Sequence, residues 1–273
     1  MKRIIKITLL AIITFLAISM KEETVNASSK DSDTFCDNDN GIITVTYNND
    51  ANTKMKIGVT KDDQSYYYNL GNGKNVVDIP LNMGNGKYSI KILKNISGTK
   101  YSVIQSTKID LELKDDNVVF LESNVIVDFE LEDKAIKKAD NLTASCKSNE
   151  EIVSTIYNYV ISNFSYDYDK LSVLTSSYVP DIEIVYKNKK GICYDISAIM
   201  AAMMRSQGVK VKLVTGYTPN IEGVYHAWNS VYDSKKDTWY TIDATYDIAM
   251  YQAKKKYTMK KSAKDYADIK YQY

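Results

Sequence analysis

Hydrophobic and polar residues alternate along the first half of the chain. Tyr88, Ile90 and Ile92 are separated by polar or charged residues, and the run 43–47 repeats the pattern. A period of two is typical of a strand with one buried face. Glycine- and asparagine-rich turns divide these runs into short segments, which indicates a small antiparallel sandwich. We therefore predict a β-sandwich-like domain over residues 41–130.

The pattern becomes helical from residue 131. Ser148 and Glu151 have the spacing of a capping box, in which each side chain bonds the backbone amide of the other residue. Apolar residues then recur at helical spacing, at Ile152, Ile156, Tyr159 and Val160. This segment predicts the first helix of a second domain, which we assign to residues 131–273.

A second helix is predicted to begin at Cys193 or just before it. Its apolar stripe consists of Ile196, Ile199, Met200 and Met203. Gly208 is expected to end this helix in a left-handed conformation. Three strands are predicted to follow, at about 211–217, 224–232 and 238–243. The predicted fold class is therefore α+β, with a helix packed on an antiparallel sheet after the β-rich domain.

The start of the chain has the composition of an export signal. Three basic residues precede an apolar stretch, residues 7–20, which is shorter than the roughly 20 residues that span a bilayer. Small residues at Val25 and Ala27 suit cleavage. We predict a signal peptide at residues 1–27 and a secreted, extracellular protein, either free or held at the cell surface by non-covalent contacts. An uncleaved membrane anchor is the alternative, which the short apolar stretch disfavours.

Composition narrows the choice of function. The chain has 35 basic and 34 acidic residues without a basic cluster, so we predict no nucleic-acid partner. Residues 28–40 are rich in aspartate but lack the ligand spacing of a calcium loop, so they predict a solvated linker. No cofactor and no metal site is predicted.

A disulfide between Cys36 and Cys146 is the only pairing that leaves Cys193 free, and whether it forms stays open.

The strongest candidate chemistry involves the single histidine of the chain, His226. Imidazole is the side chain whose ordinary pKa lies near neutral pH, which makes this residue the first candidate for acid–base catalysis. Cys193 follows Gly191 at a predicted helix start, where the helix dipole and unpaired amides stabilise a thiolate. Asp243 ends the last predicted strand.

The predicted hairpin brings two of these residues together. If residues 233–236 form a four-residue turn, His226 faces Asp243 directly, with their Cβ atoms about 4.5–5.5 Å apart. The aspartate could then hold one ring nitrogen while the other is directed at the sulfur of Cys193. Trp228 shares that face of the strand and is expected to shield the pair from water. Each residue taken alone has an ordinary structural explanation, and their combination favours a functional site.

These segments resemble the transglutaminase-like superfamily, a branch of the papain-like thiol enzymes. The resemblance rests on residues 163–167, 190–195, 216–217, 226–229 and 243–245. It implies a transglutaminase-like core in the second domain, with a helix that carries the nucleophile. The chain lacks the multi-domain length of the large animal enzymes and a convincing calcium site, so calcium activation is not implied.

The resemblance also implies a role for each residue. Cys193 would be the nucleophile, His226 the general base and acid, and Asp243 the group that orients the imidazole. The backbone amide of Cys193 would contribute to an oxyanion hole, and Tyr166 is the candidate for its second donor. Trp228 would lie beside the substrate.

Three hypotheses of function follow. In the first, the cysteine forms a thioester with a glutamine or other carboxamide and passes the acyl group to an amine, which cross-links proteins or cell-wall peptides. In the second, water resolves the same intermediate, as in a thiol peptidase or amidase. In the third, the domain binds a surface ligand without turnover. The expected partners are protein or wall-peptide substrates, with membrane contact only through the export signal.

Overall fold

The structure is a computed structural model, which describes residues 22–23, 34–37, 40–50, 52–218 and 223–273. Contacts divide the chain into two units, with the boundary between Glu130 and Leu131. Almost all of the predicted signal peptide lies outside the described residues. No helix within the described ranges is both long and apolar enough to cross a membrane.

The first unit is rich in β-sheet, as the alternating pattern predicts. Its described residues form the strands β1 (Glu22–Glu23), β2 (Phe35–Asp37), β3 (Ile42–Asn49), β4 (Met55–Lys61), β5 (Gln64–Leu70), β6 (Gly73–Pro80), β7 (Gly86–Ser97) and β8 (Lys100–Leu111). One sheet has the order β1-β8-β7-β4-β5, and a second has the order β2-β3-β6. A short 3-10 helix, Val118–Leu121, follows β8.

Burial in these strands follows the sequence pattern. Tyr88, Ile90 and Ile92 of β7 are all buried, while the residues between them are partly exposed. The predicted solvated linker at residues 28–40 is wrong in one part, because β2 pairs with β3 there. The amide of Thr46 donates to the carbonyl of Thr34, which extends this pairing by backbone contact.

The second unit surrounds a four-stranded antiparallel sheet with helices. Its elements are α1 (Lys134–Thr143), α2 (Asn149–Asn163), β9 (Ser165–Tyr166), α3 (Tyr168–Leu171), α4 (Ile182–Asn188), β10 (Lys190–Gly191), α5 (Cys193–Arg205), β11 (Val211–Tyr217), β12 (Tyr225–Asp233), β13 (Thr238–Ile242), α6 (Ala244–Gln252) and β14 (Asp268–Gln272). A 3-10 helix, Ala263–Tyr266, precedes β14. The sheet order is β13-β12-β11-β14, and β9 pairs with β10 in parallel.

Helix α5 is the centre of this unit. Every residue from Asp195 to Arg205 is buried, and the helix contacts β11, β12 and the helices α1, α2, α4 and α6. Small and apolar residues occupy nearly all of its surface, which is the composition of a helix enclosed by protein. A helix packed on an antiparallel sheet confirms the predicted α+β fold class.

Two helix ends differ in detail from the predictions. Ser148 caps α2 by accepting from the amide of Glu151 at 3.3 Å, but the Glu151 carboxylate accepts from the amide of Lys147 at 2.6 Å instead of from Ser148. Helix α5 ends at Arg205, and Gly208 adopts the left-handed conformation (φ 76°) three residues later.

Candidate active site

Cys193 is the first residue of α5. Its thiol lies at the positive end of the helix, and Ile192 provides the N-cap position. Gly191 is required just before it, because a Cβ atom there would lie 2.5 Å from the Cβ of Asp195. The side chain of Cys193 is partly exposed, so a substrate can reach the sulfur. A thiolate at this position is stabilised by the helix dipole and the unpaired amides of the first turn.

His226 lies on β12 and is almost fully buried, with 3% of its surface exposed. Its Nε2 atom is 2.8 Å from Oδ2 of Asp243. The Cys193 thiol lies near enough to the imidazole to raise its pKa. Since Nε2 contacts the carboxylate, Nδ1 is the nitrogen that remains to exchange a proton with the sulfur. The structure therefore brings the three predicted residues together, with His226 bonded to Asp243 and next to Cys193.

The carboxylate of Asp243 is held by three donors. As the N-cap of α6, its Oδ1 atom accepts from the amide of Tyr246 at 2.9 Å. Its Oδ2 atom accepts from the hydroxyl of Tyr266 at 2.8 Å as well as facing His226. A buried carboxylate with this many donors has a fixed orientation, and so does the imidazole that it contacts.

The strand register that led to this pair is wrong by two residues. Asn229 pairs with Ile242 and Tyr232 with Trp239, so the turn comprises residues 234–237 instead of 233–236. Asp243 consequently lies beyond the end of β13, diagonal to His226. A shift of two preserves the face of the sheet, because side chains alternate with that period. The contact therefore forms despite the incorrect register.

Electrostatics favour a charged imidazole. Burial alone would lower the pKa of His226, but the Asp243 carboxylate and the nearby Cys193 outweigh it and raise the pKa from 6.5 to about 10. Burial tends to raise the pKa of Asp243, and the imidazole together with the donors from Tyr246 and Tyr266 brings it below its ordinary value. The pair is thus an imidazolium beside a carboxylate at neutral pH.

Trp228 is fully buried on the same strand as His226. The two ring centroids are 6.1 Å apart, and the indole packs edge-on against Tyr266 at 5.2 Å. The indole and Tyr266 form one cluster with Val214. Trp228 therefore covers the imidazole and positions Tyr266, while its contact with a substrate stays a prediction.

Gly216 lies directly opposite His226 on β11. A Cβ atom there would lie 2.1 Å from the carbonyl oxygen of Asp268 and 3.0 Å from the ring of Trp228. Because one of these neighbours is backbone, β14 would have to move to admit a methyl group.

Gly216→Ala is accordingly expected to lower the free energy of unfolding by about 3 kcal/mol, at the upper end of the usual cost of overpacking. Urea denaturation followed by fluorescence measures the loss. Gly71→Ala is the control, because its Cβ would meet only Asn75 Oδ1 at 3.5 Å. Equal stability of the two variants would contradict the close approach of β14 to β11.

Tyr166 lies next to the start of the nucleophile helix. It pairs with Gly191 across β9 and β10, and its ring packs against Tyr168 with centroids 4.8 Å apart. Burial raises the pKa of Tyr166, and the nearby Cys193 raises it further. Among the described residues, none makes a hydrogen bond with its hydroxyl. The hydroxyl is therefore available to a ligand at the thiol.

Sequence reasoning missed Tyr266, which lies in a segment held by a second buried carboxylate. Asp247, one turn along α6, is fully buried and accepts from the Tyr157 hydroxyl at 2.7 Å and from Lys261 at 2.5 Å. Lys261 precedes the 3-10 helix that carries Tyr266, so Asp247 anchors that segment. One tyrosine among 23 gives no sequence signal of such a role.

Cys146 and Cys193 are free thiols, so no disulfide joins Cys36 to Cys146 in this structure. Within the described ranges, no group of three or more histidine, cysteine or acidic side chains could hold a metal ion.

A thiol beside an imidazole that a carboxylate orients is the arrangement expected of a thiol enzyme. Residues 136–244, less than half of the chain, match the family model described as the transglutaminase-like superfamily. The resemblance to this superfamily is confirmed, and the match supports a thiol enzyme in general terms.

Solved structures give weaker likenesses. A TGase crystal structure is 26% identical and covers 41% of this chain, with a TM-score of 0.33, and this chain spans 30% of its length. A candidate cysteine protease from Cytophaga hutchinsonii is 15% identical over 84% of this chain and 83% of its own, with a TM-score of 0.43. The periplasmic domain of TgpA from Pseudomonas aeruginosa is 12% identical over 73% and 92%, with a TM-score of 0.38. No curated protein matches the chain.

Proposed function

We propose that this protein is a transglutaminase-type thiol acyltransferase, which takes an acyl group from a glutamine carboxamide and passes it to an amine. The observation that carries the proposal is the buried His226, whose Nε2 atom faces Asp243 and whose ring lies near enough to Cys193 for the sulfur to raise its pKa. This arrangement can form a thiolate, deliver a proton and take one back, which are the steps that acyl transfer requires.

In the first half-reaction, the sulfur of Cys193 attacks the carboxamide carbon and the carbon–nitrogen bond breaks. The imidazolium of His226 gives its proton to the departing nitrogen, which leaves as ammonia, and a thioester remains. In the second half-reaction, the now neutral imidazole takes a proton from the attacking amine. A carbon–nitrogen bond forms, the carbon–sulfur bond breaks, and the thiolate–imidazolium pair returns.

Negative charge develops on the carbonyl oxygen in both half-reactions. The backbone amide of Cys193 lies in the first turn of α5, where no helical carbonyl accepts from it. Tyr166 pairs with Gly191 through its backbone, and its side chain lies near enough to Cys193 for the sulfur to raise its pKa. We assign these two groups to the oxyanion hole, since hydrogen-bond donors directed at that charge stabilise the transition state.

An amine acceptor is favoured by the aromatic surroundings of the thiol. Tyr225 lies near enough to Cys193 for the sulfur to raise its pKa, and its ring packs edge-on against Tyr217 at 5.4 Å. The ammonium of Lys270 lies 5.7 Å from the centroid of the Tyr217 ring, within the range of a cation–π contact. The Tyr225 ring near the thiol could offer a substrate ammonium the same kind of contact.

We also propose that the protein acts outside the cell, on surface proteins or wall peptides. This part of the proposal rests on the basic and apolar residues at positions 1–27 of the sequence.

The test supplies the full chain with a glutamine peptide and a fluorescently labelled primary amine, and detects products by mass spectrometry. The expected result is an amine–peptide conjugate with release of ammonia, which Cys193→Ser abolishes. Cys36→Ser and Cys146→Ser are the matched controls and should leave the yield unchanged. Free acid alone would make the enzyme a hydrolase, and the absence of both products and of a thioester on Cys193 would refute acyl chemistry.

A further inference from the structure

A second buried carboxylate lies two residues after Cys193 in the first turn of α5. Asp195, the third residue of α5, has none of its side chain exposed. Its Oδ2 atom accepts from the amide of Ile192 at 2.9 Å, which closes the start of the helix. An uncompensated negative charge in the first turn of α5 would oppose a second one there, because like charges disfavour each other's charged forms.

Lys170 meets this carboxylate from a different element. Its ammonium is 2.7 Å from Oδ2 of Asp195, and only 22% of its side chain is exposed. The hydroxyl of Tyr178 donates to the other carboxylate oxygen, and the lysine ammonium lies 2.5 Å from that hydroxyl. We call Asp195, Lys170 and Tyr178 the Asp195 cluster. It is distinct from the series of Cys193, His226 and Asp243.

The cluster also joins a surface segment to the nucleophile helix. Lys170 lies on α3 and Tyr178 lies before α4, and both side chains converge on Asp195. The residues between them are mostly exposed, with Val173 at 74%. The segment 170–178 is therefore fixed to α5 at its two ends.

We propose that Lys170 is a positioning residue for the acyl transfer, an inference that rests on the proposed function of Cys193. Its ammonium neutralises Asp195, so that the carboxylate can close the first turn of α5 without placing an uncompensated negative charge beside the sulfur. Lys170 acts through Asp195 and does not touch the reacting atoms.

Several other titratable groups lie around the thiol, and none of them duplicates this role. They are His226 and Tyr225 from β12, Tyr166 from β9, Tyr194 from α5, and Asp243 behind the imidazole. His226 is the cation on the sulfur side, and Asp243 already engages it. The side chains that contact the Asp195 carboxylate are those of Lys170 and Tyr178.

The experiment measures alkylation of Cys193 by iodoacetamide across pH in the full-length protein, with the modified residue identified by mass spectrometry. In Lys170→Met, the midpoint of the alkylation profile is expected to rise by about one pH unit, so that labelling at a fixed lower pH falls about tenfold. Lys170→Arg keeps the charge and should retain the midpoint. Lys190→Met removes an exposed lysine of the same region, which pairs with Asp167 and Asp169, and should change it little.

A double variant separates charge from general damage to the fold. Lys170→Met combined with Asp195→Asn removes the unpaired charge, so the midpoint should return toward that of the unaltered protein. The side-chain oxygen of the introduced amide can still accept from the backbone amide of Ile192, so the helix start stays closed. An unchanged midpoint in Lys170→Met, or an equal shift in Lys190→Met, would overturn the proposal. A double variant whose alkylation midpoint stays raised, although thermal unfolding shows that it is folded, would also overturn the proposal.

Alkylation needs no acyl donor or amine. If the alkylation midpoints of these variants shift as expected but the unaltered protein transfers no acyl group, only the proposed function is refuted. Normal acyl transfer with no shift would refute the role of Lys170 alone.

Discussion

His226→Gln is expected to lower kcat/KM for acyl transfer by about 10⁴-fold, because the imidazole both generates the thiolate and protonates the leaving nitrogen. The buried imidazole lies next to Cys193 and is bonded to Asp243, and glutamine can serve neither as a base nor as an acid. Alkylation of Cys193 should also slow at pH 6, where the thiol loses its cationic partner, and recover at high pH. Steady-state kinetics and alkylation rates measure the two effects.

Asn229→Ala is the control for damage to β12. This side chain is as buried as His226 but donates to the Ser197 carbonyl at 2.9 Å, away from the imidazole. The control should lose stability yet keep acyl transfer per folded molecule. If Cys193 were alkylated at pH 6 as fast in His226→Gln as in the unaltered protein, the imidazole would have no part in activating the thiol.

Asp243→Asn is expected to lower kcat/KM by about 10³-fold and to move the alkaline limb of the pH profile. The limb should lie near pH 10 in the unaltered protein, because the imidazolium that protonates the leaving group titrates there. Without the carboxylate, burial lowers the pKa of His226 and the limb moves to lower pH. The pH dependence of kcat/KM measures both changes.

The same pair gives stability a defined pH dependence. His226 has a raised pKa in the folded state, so its contribution is fully present below about pH 6.5 and is lost as pH rises toward 10. Asp243 has a lowered pKa, so its contribution is present above its ordinary value of 3.8 and is lost in more acidic solution. Urea denaturation should therefore show stability falling between pH 6.5 and 10, and this fall should be smaller in Asp243→Asn.

Asp247→Asn is the matched control for the effect of Asp243→Asn on the pH profile. It makes the same change one turn along α6, in a carboxylate that is equally buried but bonded to Tyr157 and Lys261. We expect it to lose stability without moving the alkaline limb far. A limb that responds equally to both variants would mean that general packing, and not the carboxylate at Nε2, sets the pKa of His226.

The elements that form the candidate site were predictable because their signals are local. Gly191 before Cys193 marks a helix start, and β11 has the predicted bounds 211–217. The face shared by His226 and Asp243 also followed from alternation, even though the turn was placed one residue early and the strand pairing was off by two. Asp237 has a positive φ of 53°, which lets the turn extend to that residue, and no local rule required it.

The supporting groups were not predictable because they are distant in sequence. Tyr266 and Asp243 are 23 residues apart, and Lys170 and Asp195 are 25 apart. Neither pair lies on one helix face or in one hairpin, so periodicity gives no indication of contact. The chain's many tyrosines and lysines also offer numerous equivalent partners, and only tertiary packing selects among them.

The place of β14 in the sheet affects when the site can assemble during synthesis. Cys193, His226 and Asp243 are translated before the 3-10 helix that carries Tyr266 and before the strand that pairs with β11. A nascent chain that stops short of these elements has the thiol, but its Asp243 carboxylate lacks the hydrogen bond from Tyr266. The orientation of His226 is therefore complete only once residues 266–272 have been translated and folded.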